Sequence, residues 1–148
     1  MTKAPVNSSV VSLADLPGRP CPIAASLELV GERWSLLVVR ELSLGSHRFT
    51  DIVAGTGAPR DRIAARLKAL VEVGVVERRQ YQSAPERFEY HLTDSGLALL
   101  PALDALLVWG RTYAVAPDDP DLDRHRRIGR RTNHTHPGNP DPHHQEIR

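Results

Sequence analysis

One cysteine, Cys21, stands among 148 residues. A lone thiol excludes an intrachain disulfide framework and a multi-cysteine zinc site, and it fits a reducing compartment. Long hydrophobic runs are missing too. Nothing approaches the ~18 uninterrupted apolar residues of a membrane span, and the first thirty residues lack a basic start followed by an apolar stretch and cleavage site. The expectation is a soluble, unsecreted, cytoplasmic protein with no membrane partner. Nor is there a surplus of one charge: 19 Lys and Arg against 18 Asp and Glu leave +1, so bulk charge does not announce a nucleic-acid binder. Gly-rich phosphate loops, internal repeats, a recognisable Ser, His and Asp set and metal motifs are all absent. No enzyme, cofactor or metal site is expected.

What is present is enough apolar residue, 41%, for one packed core. The composition divides the chain into a flexible leader over 1–18, a working domain over 19–114 and a tail over 115–148. From Ala116 onward only Leu122, Ile128 and Ile147 are large and aliphatic, too few to offset the entropy of ordering, and the tail is expected to be disordered. It holds His125, His134, His136, His143 and His144, and a basic run (Arg124, Arg126, Arg127, Arg130, Arg131) opposed by Asp118, Asp119, Asp121 and Asp123. Without Cys partners or helical spacing these histidines are not expected to hold a metal.

Within the domain, Pro22 suits the first turn of a helix that continues to the break at Gly31. Trp34, Leu37, Val38 and Leu42 repeat at helical spacing in a second, mostly buried helix ended by Gly45. Phe49, Ile52 and Val53 mark a short third helix, closed by Gly55-Thr56-Gly57. A fourth opens at Pro59 and ends before Gly74, with Ile63, Leu67, Leu70 and Val71 in one apolar stripe. Its other side is small and basic. Four basic residues (Arg60, Arg62, Arg66, Lys68) face two acidic ones (Asp61, Glu72) in this segment.

After Gly74 the period changes to two. Val75-Val76 begin a strand toward Tyr81, Ser83-Ala84-Pro85-Glu86 supplies a turn, and Phe88, Tyr90 and Leu92 alternate with polar residues, predicting a hairpin with one buried face. Thr93 offers an N-cap to a last helix whose leucines, with Val108 and Trp109, make an apolar face too wide for one small core. Pro101 is expected to kink this helix. A twofold partner is the commonest cover for such a surface.

This order spells a mainly α fold with a small β-hairpin wing, the winged helix-turn-helix. Here the residues resemble the HxlR-type transcriptional regulators over roughly 19–113. The matching stretches are Cys21-Pro22, 31–42 with Trp34, Arg48-Phe49-Thr50-Asp51-Ile52, 62–70 ahead of Gly74, the wing from Arg79 to Thr93, Leu100-Pro101 and Trp109-Gly110. The resemblance implies a homodimeric DNA-binding repressor or activator on a palindromic operator, paired through extra N- and C-terminal helices. It places the fourth helix in the major groove of double-stranded DNA, where the protein would be nucleoid-associated.

Arg60 and Arg62 near the N-terminal end of that helix are the candidates for base edges, and Ala65 for close approach to a thymine methyl. Arg66 and Lys68 are candidates for phosphates, although Arg66 at the flank has Asp51 or Glu72 as structural partners instead. Arg48 joins the candidate DNA contacts, as do the wing residues Arg79 and Arg87, with Arg87 favoured. Cross-strand pairing of the wing arginines with Glu77, Glu86 and Glu89 is the alternative. Pro59 departs from the small hydroxylated residue that the resemblance leads one to expect. The candidate dimer interface is Ile23, Leu27, Leu100, Leu103, Leu107 and Trp109. Cys21 falls at the first helix N-cap with Arg19 nearby, a setting that favours a reactive thiolate, and the resemblance implies a sensor of oxidants or electrophiles there. The alternatives are a buried small hydrophobe at Cys21, a small ligand effector at the dimer interface, or a winged-helix protein-interaction module that does not bind DNA.

Overall fold

The computed structural model describes residues 10–122. The expectations for the five tail histidines and the arginine run lie outside the described residues. A 3-10 turn, Leu13–Asp15, precedes helices α1 (Pro22–Val30), α2 (Ser35–Ser43), α3 (Phe49–Thr56) and α4 (Arg60–Glu72), the strands β1 (Val76–Ser83) and β2 (Glu86–Leu92), and helices α5 (Asp94–Leu97) and α6 (Leu100–Tyr113). This is the expected mainly α architecture with a two-stranded antiparallel wing.

The core is built where the helical periods converge. Ile63, Leu67 and Leu70 of α4 are buried against Val38, Val39 and Leu42 of α2 and Ile52 of α3, with Val75 and Val76 at the root of the wing. Local chemistry sets the boundaries. Cys21 is the N-cap of α1, its Sγ accepting from Ala24 N at 3.4 Å, and Pro22 fills the first turn. Gly57, at φ 68°, ends α3 in the left-handed region where a side chain is strained.

A buried carboxylate fastens α2 to α3. Glu41 is 7% exposed, and a charge taken out of water needs partners. Arg40 supplies them, with Nε 3.0 Å and Nη2 2.9 Å from Glu41 Oε1, while Arg40 Nη2 also donates to Gly55 O at 2.9 Å. Gly55 leaves room for this arrangement, because a Cβ there would lie 2.0 Å from Glu41 Oε2.

Two expectations are corrected. Pro101 does not kink a long helix: the chain turns at Ala98-Leu99, and Pro101 lies in the first turn of α6, where its missing N–H has no bond to lose. The hairpin buries a face only near its root, where Tyr90 and Leu92 pack against the core. Val76 is buried at its root, but residues 78–87 are exposed, since no layer lies beneath the distal half of a two-stranded ribbon. Arginines cover its rings instead, Arg78 over Phe88 at 3.5 Å and Arg48 over Tyr81 at 4.8 Å. At the start of the tail, Arg111 Nη1 donates to Leu122 O at 2.9 Å, and turns form at Asp119 and Leu122.

Two attachments hold the wing. His47 O accepts from Tyr90 N at 2.8 Å, and His47 Nδ1 lies 2.9 Å from Tyr90 O, with the His47 and His91 rings stacked at 4.1 Å. Thr93 Oγ1 donates to Gly74 O at 2.5 Å and accepts from Gly96 N at 3.2 Å, capping α5 and tying the end of β2 to the turn before β1. Gly96 is buried there, and a Cβ on it would lie 2.3 Å from Val75 O. Gly96→Ala should therefore lower stability by about 2 kcal/mol through overpacking against backbone. Urea unfolding checks this, with Gly110→Ala as a comparison because a Cβ at Gly110 meets nothing within 4 Å.

Candidate nucleic-acid interface

Burial of Ile63, Leu67 and Leu70 fixes which side of α4 faces water. At 100° per residue, Asp61, Ala65 and Lys68 fall on the opposite side, and all three are exposed, as are Arg60 and Arg62. Arg60 places its guanidinium 5.0 Å from the Phe49 ring centroid, which steadies the first turn of α4 against the start of α3. Arg62 and Lys68 have no ion pair among the described residues. The outward surface is therefore small at Ala64 and Ala65, so a groove floor could approach the backbone, and it is rimmed by cations.

Arg66 is placed differently. It is half-buried on the flank of α4, and its Nε lies 3.4 Å from Glu32 Oε2. The sequence-based structural partners, Asp51 and Glu72, are not the ones recorded for it. Glu32 comes from the loop after α1, a distance along the chain at which helical spacing gives no signal.

The wing arginines part company as well. Arg79 pairs with Glu77 on its own strand, two residues away, rather than across the hairpin with Glu89, which is its register partner. On an exposed ribbon, residues i and i+2 share a face, and this pair needs no alignment of a second strand. Arg87 is exposed with no recorded partner among the described residues. Arg48, exposed at the N-cap of α3, lies 4.0 Å from Glu89 and stacks on Tyr81, so it stands between α3 and the wing. Thus α4 and the wing supply Arg60, Arg62, Lys68 and Arg87 as exposed cations with no ion pair among the described residues, while Arg48, Arg66 and Arg79 each have a carboxylate partner, Arg48 at the longest distance and still exposed.

The other candidate residues lie on the helices flanking this unit. Ile23 is 73% exposed, Leu27 58% and Trp109 58%, and Val108 and Tyr113 are exposed too. Leu103, by contrast, belongs to the chain's own core at 7% exposure, and Leu100 packs partly against that core. Leu103, named with the candidate interface residues, is thus largely covered within one chain. Leu107 is half-buried in an apolar hollow of about 390 Å³, shared with Leu106, Gly110, Val115 and Leu122. Cys21 is half-buried.

Known proteins are similar to this chain in sequence and fold. The HxlR-like helix-turn-helix family matches over residues 29–118. An uncharacterized HTH-type transcriptional regulator of Mycobacterium bovis is 44% identical over 108 residues, covering 72% of this chain and 68% of that one. Among solved structures, PA1607, described as a transcription factor, is similar with a TM-score of 0.66 and 38% identity over 85% of this chain and 82% of its own. The reduced form of the transcriptional regulator YodB from B. subtilis has a TM-score of 0.55 and 30% identity, covering 67% and 98%. With the wing and the cation-rimmed fourth helix inside the span that the family matches, the chain belongs to the HxlR-like helix-turn-helix family of DNA-binding transcriptional regulators.

Proposed function

We propose that the protein acts as a homodimeric repressor on a palindromic operator, with α4 of each subunit in the major groove and the wing beside it. The observation that carries this reading is the exposed pair Arg62 and Lys68, without an ion pair among the described residues, on an α4 whose opposite face is locked in the core. Arg62 and Arg60, near the helix N-terminus, meet base edges, and Ala65 admits close approach. Lys68, Arg48 and Arg87 hold phosphates. Arg79 serves the same backbone less directly, through its pairing with Glu77.

The second copy covers the apolar residues that one chain leaves in water. Ile23 and Leu27 on α1, and Trp109, with Leu107 beside it, on α6 are the contact residues of this dimer. Two α4 helices then lie about 34 Å apart, one turn of DNA. Cys21 at the head of α1 places a thiol on the dimer-forming element, and its alkylation shifts the relative placement of the two α4 helices. YodB, a structural neighbour, is known in a quinone-bound form, and this supports an electrophile as the effector. The hollow beside Leu106 and Leu107 supports a second reading, in which a small apolar ligand rather than the thiol sets the dimer geometry.

Arg62→Ala is expected to cost about 1–3 kcal/mol on the selected site and to relax discrimination at one base pair. Arg87→Ala should weaken all duplexes alike and reduce the salt slope by about one. Fluorescence anisotropy on matched and mismatched duplexes separates the two. Sedimentation of Trp109→Asp should give one chain where the native protein gives two, and an unchanged dimer would contradict the assigned interface. Quinone should release DNA from the native protein but not from Cys21→Ser, and equal release from both would remove the thiol from the mechanism and leave the hollow as the effector site.

A further inference from the structure

Among the basic residues of α4, Arg66 alone is held by an ion pair among the described residues, and its partner sits at a junction. Glu32 Oε2 lies 3.4 Å from Arg66 Nε and accepts from Trp34 N at 3.0 Å. Trp34 is the N-cap of α2 and packs against the core. One carboxylate oxygen therefore links the end of α1, the start of α2 and the middle of α4. An ordinary surface pair is loose because both side chains swing freely. This carboxylate is pinned by a backbone N–H at the start of a helix whose inner face is buried.

A guanidinium carries five N–H donors in a rigid fork. Glu32 meets the Nε of Arg66, and the terminal nitrogens have no hydrogen bond among the described residues. An arginine held at its Nε side presents those terminal nitrogens in a fixed direction, suited to two oxygens of one phosphate. We propose that Glu32 is a positioning residue for DNA binding, holding Arg66 on the flank of α4 so that its terminal nitrogens clamp a backbone phosphate when α4 lies in the groove. The proposal rests on the reading of α4 as the groove-binding helix.

The sign of the effect separates positioning from bulk charge. A carboxylate near a polyanion repels it, so removing that charge ordinarily strengthens binding. Positioning requires the reverse. Glu32→Gln is the decisive variant, because Gln keeps an oxygen for Trp34 N–H and loses the charge that holds Arg66.

The probe is a labelled duplex that the native protein selects from a randomised pool, titrated by anisotropy between 50 and 200 mM salt, a span across which phosphate contacts change affinity by about 10³ or more for six contacts. Glu32→Gln should weaken binding about tenfold, with a slope of log affinity against log salt shallower by about one, as for loss of one phosphate contact. Arg66→Ala should do the same, and the double variant should be no weaker than the weaker single, since both remove one contact. Arg66→Lys, which keeps the charge but not the fork, should also weaken binding, with no further loss when Glu32→Gln is added. Thermal midpoints are read alongside. If Glu32→Gln unfolds the protein, the Arg66→Lys comparison with Arg66→Ala decides, and equal affinity of Arg66→Lys and native protein overturns the proposal. Native or tighter binding by Glu32→Gln, a loss with unchanged slope, or additive losses in the double variant also overturn it. Failure of the native protein to select any duplex would instead count against the groove-binding reading itself.

Discussion

The inner stripe of α4 is the constraint on which the rest of the molecule depends. Ile63, Leu67 and Leu70 are 0%, 1% and 0% exposed, and full burial of such side chains contributes about 1.5–3 kcal/mol each. Rotating α4 by one residue, 100°, would carry charged side chains toward Val38, Val39 and Ile52 and bring Leu67 out. The same burial that stabilises the fold therefore also aims Arg62, Ala65 and Lys68 at solvent. In this domain the outward chemistry is set by inward packing, and a weakly charged chain can carry a strongly oriented cationic face.

Polar fasteners place the other pieces around that stripe. Glu41, Arg40 and Gly55 lock α2 to α3 through a buried carboxylate with no spare room around it. His47 and Tyr90 hold the wing to the loop before α3, and Thr93 returns the end of β2 to Gly74 and Val75. Each fastener joins residues distant in sequence. Together they set the angle between wing and α4, the quantity that decides whether Arg87 and Lys68 can meet phosphates of one duplex. The flanking helices remain outside this framework: α1 buries only Val30, and most of the apolar surface of α6 faces water.

Elements with a local period were legible in the sequence, and features made by distant contacts were not. The stripe of α4, the Pro22 start and the Gly57 stop follow from spacing and local backbone preference, and the structure has them. The partner of Arg66 was read as Asp51 or Glu72 because helical spacing ranks near neighbours first, whereas Glu32 arrives from the far side of α2. Helical spacing does not mark Glu41 as buried, and nothing in sequence signals that Gly55 clears its carboxylate. Alternation in β2 suggested a buried face, but alternation reports only which side chains share a side, not whether anything lies beneath them. Pro101 was legible as a break but not as a start, because the chain before it, at Gly96, is drawn close to Val75 by tertiary packing.

The central claim, that the outer face of α4 and the adjoining wing meet DNA while the flanking helices do not, is tested most directly by mapping backbone amide shifts of the full chain on titration with a selected duplex. Expected are the largest changes over residues 60–68, at Arg48 and around Arg87 in the wing, with Ile23, Leu27 and Trp109 little moved. Changes concentrated on α1 and α6, with α4 unaffected, would contradict the account.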